Sequence, residues 1–193
     1  ARGRPCDGRC VFFRRRFVFA APAPPGNTRR RGERRGMLIV QCNIANTYAK
    51  LGRREEAMRM RQEVYSGCLK LNGKENLETL VAASNYALSL IDLQRFKEAK
   101  SLMRKLIPMV RGVCGASHDL TIRMSETYAE ALYKDPVATL DDLRKAVNTL
   151  EDVEGITRRV FGGAHPLTTR VERHLRNARA ALRARETQSS ARP

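Results

Sequence analysis

The sequence contains no tryptophan, and phenylalanine and tyrosine make up only 6% of its 193 residues. Runs of β-branched residues are also scarce, which argues against a β-sandwich or a barrel. No apolar stretch approaches the ~18 residues of a membrane-spanning helix. We find no catalytic signature either. With 42% apolar and 30% charged residues, most of the chain can fold in water, and we expect it not to be an enzyme.

Acidic residues are outnumbered, with 20 Asp and Glu against 37 Lys and Arg and a net charge of +17. The excess lies at the two ends. Residues 1–36 carry eleven Arg and two acids, and residues 167–193 carry seven Arg and two Glu. The middle of the chain is close to neutral. This distribution is typical of a folded centre with basic, solvated ends.

Residues 1–36 lack helical periodicity and contain a proline cluster at 22–25 that breaks helices. We interpret them as a disordered basic extension. An organelle transit peptide is a second interpretation, because the segment is rich in Arg and poor in acids. The Arg cluster at 29–35 could instead contact phosphate groups or act as a nuclear signal. We predict a cytoplasmic protein, with organelle targeting if this segment is a transit peptide, and a disordered tail at 187–193.

The five cysteines are odd in number and show no disulfide framework, which predicts reduced thiols in an intracellular protein. Cys6 and Cys10 are spaced like half of a zinc site, but no second pair follows at a suitable distance. We therefore predict no metal and no cofactor.

Internal similarity at a spacing of 42 residues is the strongest signal. Asn-Ile-Ala at 43–45 recurs as Asn-Tyr-Ala at 85–87, and Asn-Gly at 72–73 corresponds to Cys-Gly at 114–115. The next interval is 47 residues, as between Gly115 and Gly162. Five extra residues in the region 133–142 explain the difference. A fixed repeat length of this size indicates stacked helical units.

Apolar residues within each unit recur with helical periodicity. The predicted helices cover residues 37–51, 53–71, 77–93, 96–113, 120–133, 139–161 and 168–186. No strand is predicted. Small residues at matching positions of the paired helices, such as Ala45 and Ala57, would let their backbones approach closely. The pattern favours an all-α fold, a right-handed solenoid of antiparallel helix pairs.

The motifs resemble tetratricopeptide repeats of the 42-residue type found in kinesin light chains. The chain has the aromatic-x-Glu-Ala element at 96–99, the Gly-x-x-x-Glu-Ala element at 52–57 and the Asn-x-Ala-x-x-Tyr element at 43–48. The segment 161–166 is similar to the Leu-Gly-x-x-His-Pro link of that family. The resemblance covers residues 37–186, with repeats at 37–76, 77–119 and 120–166 and a capping helix at 167–186. A HEAT or armadillo array is the structural alternative.

The second unit has Gln94 where the family has a turn glycine, and Arg61 occupies a position that is usually apolar. His118 and His165 lie at equivalent corners between units. We expect each to cap the following helix rather than to bind metal.

The resemblance implies a non-enzymatic scaffold that binds a peptide or protein partner in a concave groove lined by the first helix of each pair. Asparagine suits this role because its amide can both donate to and accept from a peptide backbone. Basic side chains in the groove would pair with an acidic peptide or a C-terminal carboxylate. The predicted groove residues are Asn43, Asn46, Lys50, Asn85, Arg123 and Thr127.

Two other functions remain open. The Arg-rich ends could attract nucleic acid, in which case affinity would fall steeply with salt. The chain could also be the interaction part of a larger enzyme or signalling protein. Neither a small-molecule substrate nor membrane insertion is predicted.

Overall fold

The computed structural model describes residues 11–13, 16–18 and 29–190, of which 29–190 form seven helices. These are α1 (Arg29–Lys50), α2 (Arg54–Asn72), α3 (Leu77–Asp92), α4 (Phe96–Cys114), α5 (Asp119–Tyr133), α6 (Leu140–Phe161) and α7 (Pro166–Ser190). The predicted all-α helical repeat fold is confirmed. Helices α2 to α6 begin and end within one residue of the predicted bounds.

The first helix begins earlier than predicted, at Arg29 instead of residue 37. Its first two turns are rich in arginine, a good helix former, but lack the apolar stripe on which the prediction depended. Arg35 in this added segment forms an ion pair with Glu78 of α3. The basic segment 29–36 is therefore helical and joined to the repeats, where a disordered extension was expected.

The prediction of no strand was wrong for a short segment before the helices. Strands β1 (Val11–Phe13) and β2 (Arg16–Val18) pair antiparallel, with Val11 opposite Val18. Valine and phenylalanine favour extended structure. The rest of the predicted extension, including Cys6, Cys10 and the proline cluster, lies outside the described residues.

The last helix is longer than the predicted cap at both ends. It begins at Pro166, a position that suits proline because the first helical N–H has no intrahelical partner. It ends at Ser190, so part of the segment predicted as a disordered tail is helical.

The chain divides into two compact units, Ala1–Ser89 and Leu90–Pro193. In the first unit, α1, α2 and α3 pack around Cys42, Val64, Cys68 and Ala82. In the second unit, α5, α6 and α7 enclose a larger apolar cluster. Its most buried members are Ile122, Ala129, Leu132, Ala146, Leu150, Val171 and Ala178.

Glycine ends three of the helices at equivalent repeat positions. Gly73, Gly115 and Gly162 have φ values of 81°, 88° and 84° with extended ψ, a conformation that is essentially restricted to glycine. The backbone N–H of each donates to the carbonyl four residues earlier. The glycines at the 42- and 47-residue spacings therefore share a turn geometry as well as a residue type.

An ion pair repeats at the start of α2 and α4. Nε of Arg53 lies 2.6 Å from Oε1 of Glu56, and Nε of Arg95 lies 2.7 Å from Oε1 of Glu98. In each case the arginine immediately precedes the helix and the glutamate is in its first turn. The glutamate of the repeated Glu-Ala element thus forms an ion pair with the arginine that precedes its helix.

Candidate functional site

Three of the predicted groove residues lie along one face of α1 in the first unit. Asn43, Asn46 and Lys50 are spaced by three and four residues, which places them on the same side of a helix. Asn43 and Lys50 are exposed, and Asn46 is partly buried. This face, which we call the α1 polar face, is accessible to a partner.

A buried arginine fixes the orientation of one of these asparagines. Arg61 of α2 is only 1% exposed, and its Nη2 donates to Oδ1 of Asn46 over 2.9 Å. Its Nη1 donates to Oγ of Ser89 on α3 over 2.5 Å. Because a guanidinium can only donate hydrogen bonds, the Asn46 atom that faces it must be the carbonyl oxygen. The Nδ2 donors of Asn46 remain available on the partly exposed side chain.

Asn85 does not share the exposure of its repeat equivalent, Asn43. It is 1% exposed, and its Nδ2 lies 4.0 Å from Sγ of Cys42. Burial raises the pKa of the Cys42 thiol, and the charge of Arg61 opposes that rise. Asn85 is therefore part of the interior of the first unit.

In the second unit, Arg123 and Thr127 lie one turn apart on α5, and both are buried. Nε of Arg123 donates to both carboxylate oxygens of Asp119, at 2.8 and 3.0 Å. The hydroxyl of Thr127 donates to the carbonyl of Arg123. Burial lowers the pKa of Arg123; the carboxylate of Asp119 opposes this shift and the charge of Arg170 adds to it. An anionic ligand would have to compete with Asp119 for this guanidinium.

A charged network that the sequence analysis missed joins α5 to α7. Arg170 donates to both carboxylate oxygens of Glu126 at 2.7 to 2.9 Å. Nε2 of His174 lies 3.3 Å from the same carboxylate, and Nδ1 of His174 lies 2.8 Å from the hydroxyl of Tyr133. This arrangement suits the tautomer that carries its proton on Nε2. Within the network, the carboxylate of Glu126 is paired with Arg170 just as that of Asp119 is paired with Arg123.

The repeat register could have revealed this network. Arg170 follows Arg123 by 47 residues and His174 follows Thr127 by the same interval, so they occupy equivalent places on α7. The structure thus brings Asn43, Asn46 and Lys50 onto one exposed face. It buries Asn85 in the first unit, and in the second it buries Arg123 and Thr127 beside the network.

The two corner histidines cap helices, as predicted. Nδ1 of His118 accepts the N–H of Leu120 at 3.1 Å, and Nδ1 of His165 accepts the N–H of Leu167 at 3.2 Å. Among the described residues, no cluster of three or more His, Cys, Asp or Glu side chains could hold a metal ion. No helix in the described part of the chain is both long and apolar enough to cross a membrane.

Comparison with protein families matches residues 36–111 to the tetratricopeptide repeat. That segment contains α2, α3 and most of α1 and α4. A comparison with curated proteins found no significant match.

Solved structures with a similar fold include a Podosopora anserina protein named as a putative kinesin light chain with nearly identical TPR-like repeats. A variant of that protein with one glutamine replaced by methionine superposes with a TM-score of 0.64 at 20% identity, covering 79% of this chain and 70% of the other. A second crystal structure of the same protein gives a TM-score of 0.62 at the same identity and coverage. BtubC (BKLC) from P. vanneervenii gives 0.58 at 14% identity, over 81% of this chain and 66% of its own. Taken together, these findings show that residues 36–111 match the tetratricopeptide repeat and that the chain shares its helical-repeat fold with structures named as kinesin-light-chain-like.

Proposed function

We propose that this chain is a protein–protein interaction scaffold that binds a peptide or protein segment through the first helices of its repeats. The proposed contacts are those predicted from the sequence: Asn43, Asn46 and Lys50 on α1, Asn85 on α3, and Arg123 and Thr127 on α5. The exposed α1 polar face makes the first contact. Asn85, Arg123 and Thr127 act from the interior, by supporting the exposed side chains or by rearranging when the partner binds.

The observation that carries this proposal is the hydrogen bond between Arg61 and Asn46. The guanidinium engages the carbonyl oxygen of Asn46, which leaves the Nδ2 donors as the main groups that this side chain can offer to a ligand. The neighbouring ammonium group of Lys50 is purely a donor. The α1 polar face therefore suits a ligand rich in acceptors, such as peptide carbonyl groups or carboxylates.

Capture of partners from cell lysate by the full chain tests the proposal. A variant with both Asn43→Ala and Asn46→Ala should lose the partners that wild type retains, as measured by quantitative mass spectrometry. Gln62→Ala is the matched control, because Gln62 is exposed on α2 and also carries an amide. The proposal fails if the asparagine variant and the control retain the same partners.

A second variant separates positioning from folding. The positions equivalent to Arg61 are Met103 and Leu150, both fully buried. Arg61→Met should therefore keep the helical content while it releases the Asn46 amide. We expect this variant to capture the same partners more weakly while its far-UV circular dichroism spectrum stays that of the wild type. Unchanged capture would mean that the orientation of Asn46 plays no part in binding.

The Arg-rich ends remain the basis for the alternative, nucleic-acid binding. If RNA co-purifies with the chain and its binding is steeply salt-dependent but unaffected by the asparagine variant, the alternative is favoured.

A further inference from the structure

A cavity of about 200 Å³ lies between α4, α5 and α6 in the second unit. Its apolar lining includes Ile107 and Pro108 from α4, Ile122 from α5, and Val153 and Ile156 from α6. Binding sites for drug-sized ligands usually measure about 300–1,000 Å³. This smaller cavity, which we call the α4–α6 cleft, fits one large apolar side chain of a partner.

One wall of the α4–α6 cleft is basic. Arg104 and Arg111 both line it and are exposed, and neither forms an ion pair with any described residue. They are seven residues apart on α4, which corresponds to about 10.5 Å along a helix. The wall therefore presents two guanidinium groups, separated by two helical turns, to an anionic partner.

We propose that the α4–α6 cleft binds an acidic peptide, with one apolar side chain inserted between two carboxylates that are three residues apart. In the polyproline II conformation such residues share a face and are about 9 Å apart, close to the spacing along α4 of Arg104 and Arg111. The intervening residues project in other directions, which allows one of them to enter the cavity. The carboxylates then pair with the two guanidinium groups.

Asp152 determines which way the peptide faces. It lines the α6 side of the cleft, is exposed, and forms no ion pair with a described residue. Its charge would repel a ligand carboxylate on that side, so the acidic face of the peptide must lie against α4. The cleft is separate from the α1 polar face, and this inference does not depend on the function proposed for that face.

The experiment uses the full chain and the labelled probe fluorescein-Gly-Glu-Leu-Pro-Glu-Gly-amide, followed by fluorescence anisotropy at low salt. The proline restricts the preceding leucine to extended or polyproline II geometry. Replacing both arginines, Arg104→Gln and Arg111→Gln, should weaken binding about tenfold, as expected for the loss of two partly exposed ion pairs. Asp152→Asn should strengthen binding, and a probe with Gln in place of both Glu should bind weakly.

Lys105→Gln is the matched control, because Lys105 is exposed on the same helix and does not line the cleft. It should bind the probe within about twofold of wild type, as should the Asn43→Ala/Asn46→Ala variant. The proposal is overturned if Lys105→Gln weakens binding as much as the arginine variant, since the attraction would then be general. It is also overturned if the wild-type anisotropy stays unchanged up to millimolar protein, or if sedimentation shows a dimer that the double arginine variant abolishes.

Discussion

Gln94 and Arg61 both depart from the repeat pattern. The fold accommodates Gln94 through its backbone conformation and Arg61 through hydrogen bonds of its side chain. Gln94 has a φ of +59°, the only positive value for a residue other than glycine among the described residues, where its equivalent Gly52 has +79°. Its N–H still donates to the carbonyl of Ile91, so the turn keeps its hydrogen bond. Arg61 instead extends through the helix layer to polar partners on α1 and α3. The first departure strains the backbone, and the second places a charge in the interior.

Gln94→Gly should stabilise the chain by about 0.5–1 kcal/mol. A residue with a Cβ atom in the left-handed region costs roughly 1–2 kcal/mol, and the greater flexibility of unfolded glycine offsets part of the gain. Gln94 is exposed, so little packing is lost. Urea denaturation measures the change. The reciprocal variant Gly52→Ala should be destabilised, and an equal loss in both variants would contradict the backbone explanation.

The corners between helices repeat a hydrogen-bond pattern with different residues. Asn76, His118 and His165 occupy equivalent positions, and each side chain accepts the backbone N–H two residues later. Thr121 and Thr168 add a second bond, to the carbonyls of the preceding corner glycines. The element is thus defined by an acceptor at a fixed place rather than by a particular amino acid.

His118→Ala should lower the free energy of unfolding by about 1 kcal/mol, the usual cost of removing a helix N-cap. His118→Asn should retain most of that stability, because Asn76 performs the same role in the preceding corner. Thermal or urea unfolding distinguishes the two variants. If the alanine and asparagine variants are equally unstable, then His118 contributes through packing and not through its acceptor nitrogen.

The five-residue insertion is fixed by an ion-pair cluster. Nζ of Lys100 on α4 lies 2.9 Å from Oδ2 of Asp135 and 3.2 Å from Oδ2 of Asp142. Burial acts to raise the pKa of Asp135, but hydrogen bonds from Lys100 and from the backbone N–H of Val137 outweigh it and hold that pKa below its ordinary value. The loop is therefore anchored on both sides by one lysine.

Asp135→Asn should destabilise the chain by about 2 kcal/mol at pH 7, since the lost hydrogen bonds are charge-assisted and buried. A carboxyl group whose pKa is lowered on folding stabilises the protein above its unfolded pKa of about 4. That stabilisation is lost as the pH falls through the pKa of Asp135 in the folded state. The difference between wild type and variant should therefore narrow below about pH 4. A constant difference between pH 7 and pH 3 in urea titrations would contradict this assignment.

In the second unit as a whole, stability depends on the packing of each helix against its neighbours. Val171 on α7 is fully buried with Leu150 of α6 and Ile122 of α5. In repeat proteins such interfaces contribute mainly between adjacent elements. Disruption of this core should therefore first lower the local stability of the helices that form it.

Val171→Asp should destabilise this core by more than about 3 kcal/mol, because it buries an unpaired charge. We expect faster amide exchange in α5, α6 and α7, measured by hydrogen exchange with mass spectrometry, while α1 and α2 keep their protection. Arg173→Asp is the matched control, since it introduces the same residue at an exposed position of the same helix. Equal loss of protection in all helices would show that the chain unfolds as one cooperative unit.

Much of the fold was readable from local chemistry. Apolar periodicity and the glycine spacing predicted the bounds of helices α2 to α6 to within one residue, because a packed helix needs an apolar face and a residue that terminates it. The small residues predicted to lie at the contacts of paired helices, Ala45 and Ala57, are both buried, as are the alanines at the matching positions of the later repeats. The early start of α1 escaped prediction because its first turns are helical without an apolar stripe.

The candidate site was predicted less well, because polar residues in equivalent repeat positions look alike in sequence. Asn43 and Asn85 match in register, yet the first is exposed and the second is buried beside Cys42. The sequence alone determined the repeat, its register and the residues able to cap or turn the chain, since these depend on neighbours along the backbone. Only the tertiary structure decided which polar groups pair, as with Arg61 and Asn46 or Glu126 and Arg170, because burial and hydrogen bonding depend on residues distant in the chain.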